Sequence, residues 1–243
     1  MTERAEPGSD PHPQSPGSTA TTGTPCGLRL RGADSARAAA FYPAVLGWTP
    51  EAVTASIDAP LPGVTGACWL TYLAVAELTA AVRAVTAAGG TVLETPGGGR
   101  AVVRDATGSP LGLWQAGTEP VGEPGPVFFS EVGAHDGGTA QAFYAAVFGF
   151  DLQDEAPDGF SHTELRIDGR TVAALYVIGT DLGADYPPHW MPYISVPDTD
   201  AAASIALERG AVALRKPMDT PFGRMCTLRD PEGAAFSLMS AAG

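Results

Sequence analysis

The sequence predicts an α+β protein of two tandem domains, each built from paired βαβββ modules. Three observations predict it. AAAFYPAVLGW at 38–48 matches AQAFYAAVFGF at 140–150, with seven of eleven positions identical and an Asp seven residues before each Phe-Tyr (Asp34 and Asp136). ELTAAVRAVTAAGGTVLETP at 77–96 resembles DTDAAASIALERGAVALRKP at 198–217. After it, GRAVVRDATGSPLGLW at 99–114 resembles GRMCTLRDPEGAAFSLM at 223–239. A repeat of roughly 100 residues marks a duplicated domain and not a solenoid. The 243 residues therefore divide into two small domains.

The elements follow in order. Residues 1–25 are rich in Pro, Ser, Thr and Gly with no hydrophobic period. They cannot offset their ordering entropy by burial and read as a disordered tail, with His12 inside it. The N-terminal domain spans 26–118, a linker 119–126 and the C-terminal domain 127–243. In the second domain FFSEV at 128–132 reads as a strand. Asp136 then caps a helix whose Ala140, Phe143, Tyr144 and Val147 share one face, and Gly149 ends it. Two alternating strands at 161–167 and 170–178 flank Asp168-Gly169, a hairpin turn signal. PYISV at 192–196 is a further strand, 199–209 a helix closed by Gly210, and VALRK, RMCTL and AFSLM complete the domain. The offset between matching blocks grows from 102 to 121 residues, so the first domain is 19 residues shorter between its helices. A hairpin is expected to be lost or shortened there.

Composition narrows the function. The chain has 27 acidic and 14 basic residues, a net charge of −13. Such a surface repels phosphate backbones, which excludes nucleic acid as the main partner. With 44% hydrophobic and 17% charged residues the chain can build a core. Cys26, Cys68 and Cys226 are too few and too scattered for a disulfide framework, and no CxxC exists. No apolar run approaches the ~20 residues that span a bilayer. The N-terminus carries no apolar signal core. A cytoplasmic protein without a membrane partner is expected, as a monomer or a homodimer.

The Asp and Phe-Tyr helix, the DGR hairpin (168–170) and the closing R-D-P-x-G-x-x-F-x-L (229–238) together resemble the vicinal oxygen chelate superfamily, over about residues 26–241. That superfamily includes glyoxalase I, extradiol dioxygenases and bleomycin-resistance proteins. The tandem, glyoxalase-like type is the nearest. The resemblance implies that each pair of modules curls into a half-barrel around a pocket, with helices outside. It also implies a divalent metal held by His, Gln or Glu on the first strand, His on the fifth and Glu on the last. The matching positions here are Phe129, Met191 and Ser237, and Gly27, Leu70 and Gly112 in the first domain. None is a competent metal ligand, so no metal and no cofactor is expected.

Period-2 alternation then sorts the side chains. Val132, Ile194, Phe236 and Leu238 should face the helices. Phe129, Glu131, His189, Met191, Tyr193, Ser237 and Met239 should face the pocket, together with His162, Glu164 and Arg166 on the hairpin. A carboxylate at Glu131 among apolar neighbours is desolvated, which suits acid–base work or ligand contact. Alternatively it is tied off by Arg166 or Tyr193. Glu131, His162 and His189 could instead form a displaced two-His-one-carboxylate set. In the first domain Arg29, Arg31, Tyr72 and Trp114 share the pocket face, and the two arginines either bind an anion or neutralise local acids.

The leading expectation is metal-independent binding of a hydrophobic or aromatic small molecule in the C-terminal pocket, with natural-product resistance by sequestration as its purpose. Phe129, His162, Arg166, Met191, Ser237 and Met239 are the expected ligand contacts. The first alternative is an enzyme of secondary metabolism. It would be a metal-free isomerase, cyclase or lyase using Glu131 as acid–base with Tyr193 or His189 polarising a carbonyl, or would use the displaced metal set. The second alternative is a scaffold with vestigial pockets.

Overall fold

A computed structural model describes residues 21–115, 127–155, 162–179 and 186–241. The first half runs β1 (Pro25–Arg31), α1 (Ser35–Leu46), α2 (Pro50–Ala55), β2 (Ile57–Asp58), β3 (Cys68–Val75), α3 (Leu78–Ala87), β4 (Thr91–Gly97), β5 (Arg100–Arg104) and β6 (Pro110–Gln115). The second runs β7 (Val127–Ala134), α4 (Gly137–Phe148), β8 (Asp151–Glu155), β9 (His162–Ile167), β10 (Arg170–Val177), β11 (His189–Ser195), α5 (Thr199–Glu208), β12 (Val212–Thr220), β13 (Gly223–Arg229) and β14 (Ala235–Ser240).

Local chemistry sets the element ends. Asp34 accepts from the backbone N–H of Ala36 and Arg37 at the start of α1, and Asp136 accepts from that of Thr139 at the start of α4. Gly47 and Gly149 close the same two helices in the left-handed conformation, which a Cβ would strain. Asp168 (φ 50°) and Gly169 (φ 74°) make the β9–β10 turn, the positive-φ pair of a type I′ hairpin. The polar edge strand β8 has no hydrophobic alternation and is absent from the sequence reading.

The strands form two sheets, in the orders β2-β1-β3-β6-β5-β4 and β12-β13-β14-β11-β7-β10-β9-β8. In each sheet the first strands of the two modules pair antiparallel at the centre, β1 with β3 and β7 with β11. The shortened first module retains only the two-residue β2, parallel to β1 as β10 is to β7. Its strands equivalent to β8 and β9 are replaced by α2 and the loop at 59–67. The predicted linker and residues 1–20 of the predicted tail lie outside the described residues. Residues 21–25, also assigned to the tail, differ from that expectation. The Gly23 N–H donates to the Ala74 carbonyl and the Ala74 N–H donates to the Thr24 carbonyl, because the end of β3 offers backbone groups to pair.

The helices lie between the two sheets, outside each half-barrel. One buried cluster joins Leu28, Phe41 and Tyr42 of the first half to Ile194, Ala203 and Phe236 of the second. The other joins Leu73, Val85 and Leu113 to Val132, Phe143 and Leu165. Each core is thus shared by the first module of one half and the second module of the other, and the concave sheet faces point away from both. Among the described residues no helix is long and apolar enough to cross a membrane.

Candidate functional site

The concave face of the eight-stranded sheet follows from strand alternation. Val132, Ile194, Phe236 and Leu238 are fully buried on the helix side, as expected. Phe129, Glu131, His189, Met191, Tyr193, Ser237 and Met239 therefore point into the half-barrel. On β9, Leu165 joins the helix-side core and the Thr163 hydroxyl is bonded by Gln141 of α4. His162, Glu164 and Arg166 face the other way, as expected.

Register brings part of this set together. Met191 sits opposite Glu131, Tyr193 opposite Phe129, and Ser237 beside Tyr193. The Tyr193 hydroxyl donates to Glu131 Oε2 at 2.5 Å. Burial raises the Glu131 pKa, while the Tyr193 hydrogen bond and the charges of His162 and Arg215 pull it back. Burial and the neighbouring carboxylate push the Tyr193 phenol well above its ordinary value. A carboxyl group and a phenol sharing one proton-bearing contact form a pair that can donate or accept a hydrogen bond or a proton.

Other expected residues have different partners. Arg166 does not reach Glu131. Its guanidinium bonds the Gln153 side chain and the Gly169 carbonyl, with Glu164 at 3.7 Å, because β9 holds it at the hairpin edge. Ser237 is fully buried and shares a 3.0 Å hydrogen bond with Thr227. Met191 and Met239 are buried and form the floor. The His162 ring meets Phe222 edge-on at 5.7 Å, so the β12–β13 turn reaches across to β9.

His189 lies at one end of this face. Its Nδ1 is 2.9 Å from the Pro187 carbonyl, which only accepts, so Nδ1 carries the proton. Nε2 then accepts from the Tyr176 hydroxyl at 3.0 Å. Burial lowers the His189 pKa to about 4, so the ring is neutral at pH 7. With both nitrogens engaged, His189 has no lone pair left for a metal. Among the described residues no group of three or more His, Cys, Asp or Glu side chains is placed to hold an ion. The displaced set of Glu131, His162 and His189 is therefore not assembled. Its three strands bring the residues to one face but not to one point.

Sequence reasoning missed Tyr176 and Arg215. Tyr176 alternates with the buried Ala173 and Leu175 on β10, a signal that was present, and its ring lies over Gly133, where a Cβ would fall 2.6 Å from it. Arg215 left no such signal, since only the curl of the sheet brings its charge near Glu131. In the first half Arg29 pairs with Asp58 and Arg31 with Glu94, so both neutralise local acids.

Paired βαβββ modules around an open half-barrel define a class of protein. The Glyoxalase/Bleomycin resistance protein/Dioxygenase superfamily matches residues 131–238, and the chain belongs to that superfamily. It is 33% identical to the anthracycline biosynthesis protein DauV of Streptomyces sp. (strain C5), over 89% of this chain and 93% of that protein. It is 31% identical to the anthracycline biosynthesis protein DnrV of Streptomyces peucetius, with the same shares covered. The 2,3-dioxygenase LapB of Pseudomonas sp. KL28 superposes with a TM-score of 0.60 at 15% identity, covering 92% of this chain and 94% of that one, a likeness of fold alone.

The fold family implies a divalent metal, and the residues present do not fit one. Phe129, Met191 and Ser237 offer a ring, a buried thioether and a hydroxyl already bonded to Thr227, none of them a ligand set for a catalytic ion.

Proposed function

We propose that the protein binds a planar aromatic small molecule of secondary metabolism in the C-terminal half-barrel, without a metal ion, and that it confers resistance by sequestering that molecule. One observation carries this reading. Phe129, Tyr176, Met191, Tyr193 and Met239 line one concave face around the desolvated carboxylate of Glu131. Flat aromatic ligands gain from burial against rings and thioethers, and one buried polar pair fixes their orientation. Two relatives named for anthracycline biosynthesis support a fused-ring ligand. The net charge of −13 favours a neutral or cationic one.

The test is a titration with an anthracycline, read by quenching of the ligand's fluorescence. Saturable binding that is lost in Tyr193→Ala and Met191→Ala supports the reading. Equal affinity in those variants and in the unaltered protein overturns it.

The Tyr193–Glu131 hydrogen bond favours a second reading, a metal-free isomerase, cyclase or lyase in which Glu131 moves a proton. Glu131→Gln separates the two. Retained affinity with loss of product formation from biosynthetic intermediates supports the enzyme, and retained product formation excludes Glu131 as its acid–base.

A further inference from the structure

We propose that the N-terminal half-barrel holds a second ligand site, for a small monoanionic carboxylate, with Arg100 as its cation and the Tyr72 hydroxyl as its hydrogen-bond donor. This site is separate from the C-terminal one and does not rest on it. A cavity of about 340 Å³ lies on the concave face of the six-stranded sheet, walled by Arg31, Asp58, Tyr72, Glu94, Arg100 and Val102. That volume is within the usual range of small-molecule pockets.

The charges in this cavity are unequally matched. Asp58 is held by Arg29 through two hydrogen bonds, at 2.8 and 3.0 Å. Glu94 receives both terminal nitrogens of Arg31, whose Nε donates to the Ala59 carbonyl at 2.7 Å. Both carboxylates and both of those guanidiniums are therefore spoken for. Arg100 is not. Its neighbours Ala101 and Val103 on β5 are buried in the helix-side core, which turns Arg100 into the cavity, and its guanidinium makes no ion pair or hydrogen bond among the described residues. Arg29, Arg31 and Arg100 against Asp58 and Glu94 leave one positive charge, in a chain whose net charge is −13.

Tyr72 supplies the second half of the site. Its ring is clamped over Gly112, where a Cβ would fall 2.3 Å from it. The residue is only 3% exposed. Its hydroxyl donates to no group among the described residues, and the residue lines the cavity. Burial raises the phenol pKa and keeps the proton in place for donation. One guanidinium fork and one phenol match one carboxylate. A dianion would meet Asp58 and Glu94 with no second free cation. Val102 and the ring of Tyr72 offer an apolar wall for an aromatic acid.

Sodium benzoate is the probe, titrated into the full chain at fixed ionic strength by isothermal calorimetry, with benzamide as the uncharged isostere. Benzoate is expected to bind saturably and benzamide at least about tenfold more weakly. Arg100→Met should weaken benzoate by about tenfold or more, Arg100→Lys by less, and Tyr72→Phe several-fold. Glu131→Gln should leave benzoate binding unchanged. Thermal midpoints should stay level across the Arg100 variants, and Arg100→Lys keeps the test valid if Arg100→Met folds poorly. No saturable benzoate binding below about 50 mM, equal affinity for benzamide, or equal affinity in the Arg100 variants would overturn the proposal. Loss of binding in Glu131→Gln but not in the Arg100 variants would place benzoate in the C-terminal half and overturn it too.

Discussion

The Tyr144 hydroxyl donates to Asp105 Oδ2 at 2.8 Å, both groups buried, and joins the first helix of the second half to the β5–β6 turn of the first. The same oxygen accepts from Trp190 Nε1 at 2.9 Å. The pseudo-symmetric contact runs the other way, from Tyr42 to Asp230 at 2.7 Å with Trp69 as its donor at 3.1 Å. Each Asp uses its second oxygen to bind backbone N–H groups of its own turn, at Thr107 and Ser109 for Asp105 and at Glu232 and Ala234 for Asp230. The Tyr of each Phe-Tyr motif and the Asp of each Arg-Asp motif are thus the two halves of one lock between the duplicated halves, and they hold the half-barrels back to back.

Tyr144→Phe should destabilise the protein by about 2–4 kcal/mol, because it leaves a buried carboxylate oxygen and an indole N–H without their partner. Tyr42→Phe should cost a similar amount. Urea denaturation of each variant and of the double variant measures this. Losses under about 0.5 kcal/mol would mean that the lock contributes little net stability.

His189 makes stability pH-dependent in a defined window. Its folded pKa is lowered from 6.5 to about 4. The native state therefore resists protonation, so this contribution is fully present above pH 6.5 and is lost as pH falls towards 4. The loss amounts to roughly 3 kcal/mol at most. His189→Gln should flatten the slope of unfolding free energy across that window. An unchanged slope would assign the acid sensitivity to other groups.

Glu131 has the opposite sign. Its folded pKa is raised above 4.5 by burial, so its ionised form costs stability at neutral pH, and the cost fades as pH falls to 4.5 and below. Glu131→Gln keeps an acceptor for Tyr193 and removes the charge. Its thermal midpoint should equal or exceed that of the unaltered protein at pH 7, and the difference should close by about pH 4. A lower midpoint at pH 7 would mean that the charged Tyr193 bond outweighs desolvation.

Gly133→Ala tests the packing of the candidate site. The added methyl would fall 2.6 Å from the Tyr176 ring and force it away from His189. A loss of about 1–3 kcal/mol is expected from overpacking. A rise in the His189 pKa should accompany it, as water replaces the Tyr176 ring, and NMR titration of the imidazole reads it directly. An unmoved His189 pKa would show that Tyr176 does not shield the ring.

The fold was legible because duplication leaves two copies of the same caps, turns and apolar periods. Asp34 and Asp136, Gly47 and Gly149, and the Asp168-Gly169 turn each act within a few residues of chain, so their chemistry can be read locally. Alternation also assigned Phe129, Glu131, Met191 and Tyr193 to the concave face, since a strand has only two sides. What alternation cannot supply is convergence. That Tyr193 takes Glu131 and that Arg166 turns to Gln153 depend on the register of paired strands, and that the Arg215 charge on β12 is felt at the same carboxylate depends on how far the sheet curls. That curl brings together strands more than 80 residues apart, as it also closes Arg31 onto Glu94 and leaves Arg100 without a carboxylate. The residues by themselves determined which groups face each half-barrel. Only the tertiary structure decided which of them meet, because pairing distances are set by strand register and sheet curvature and not by spacing along the chain.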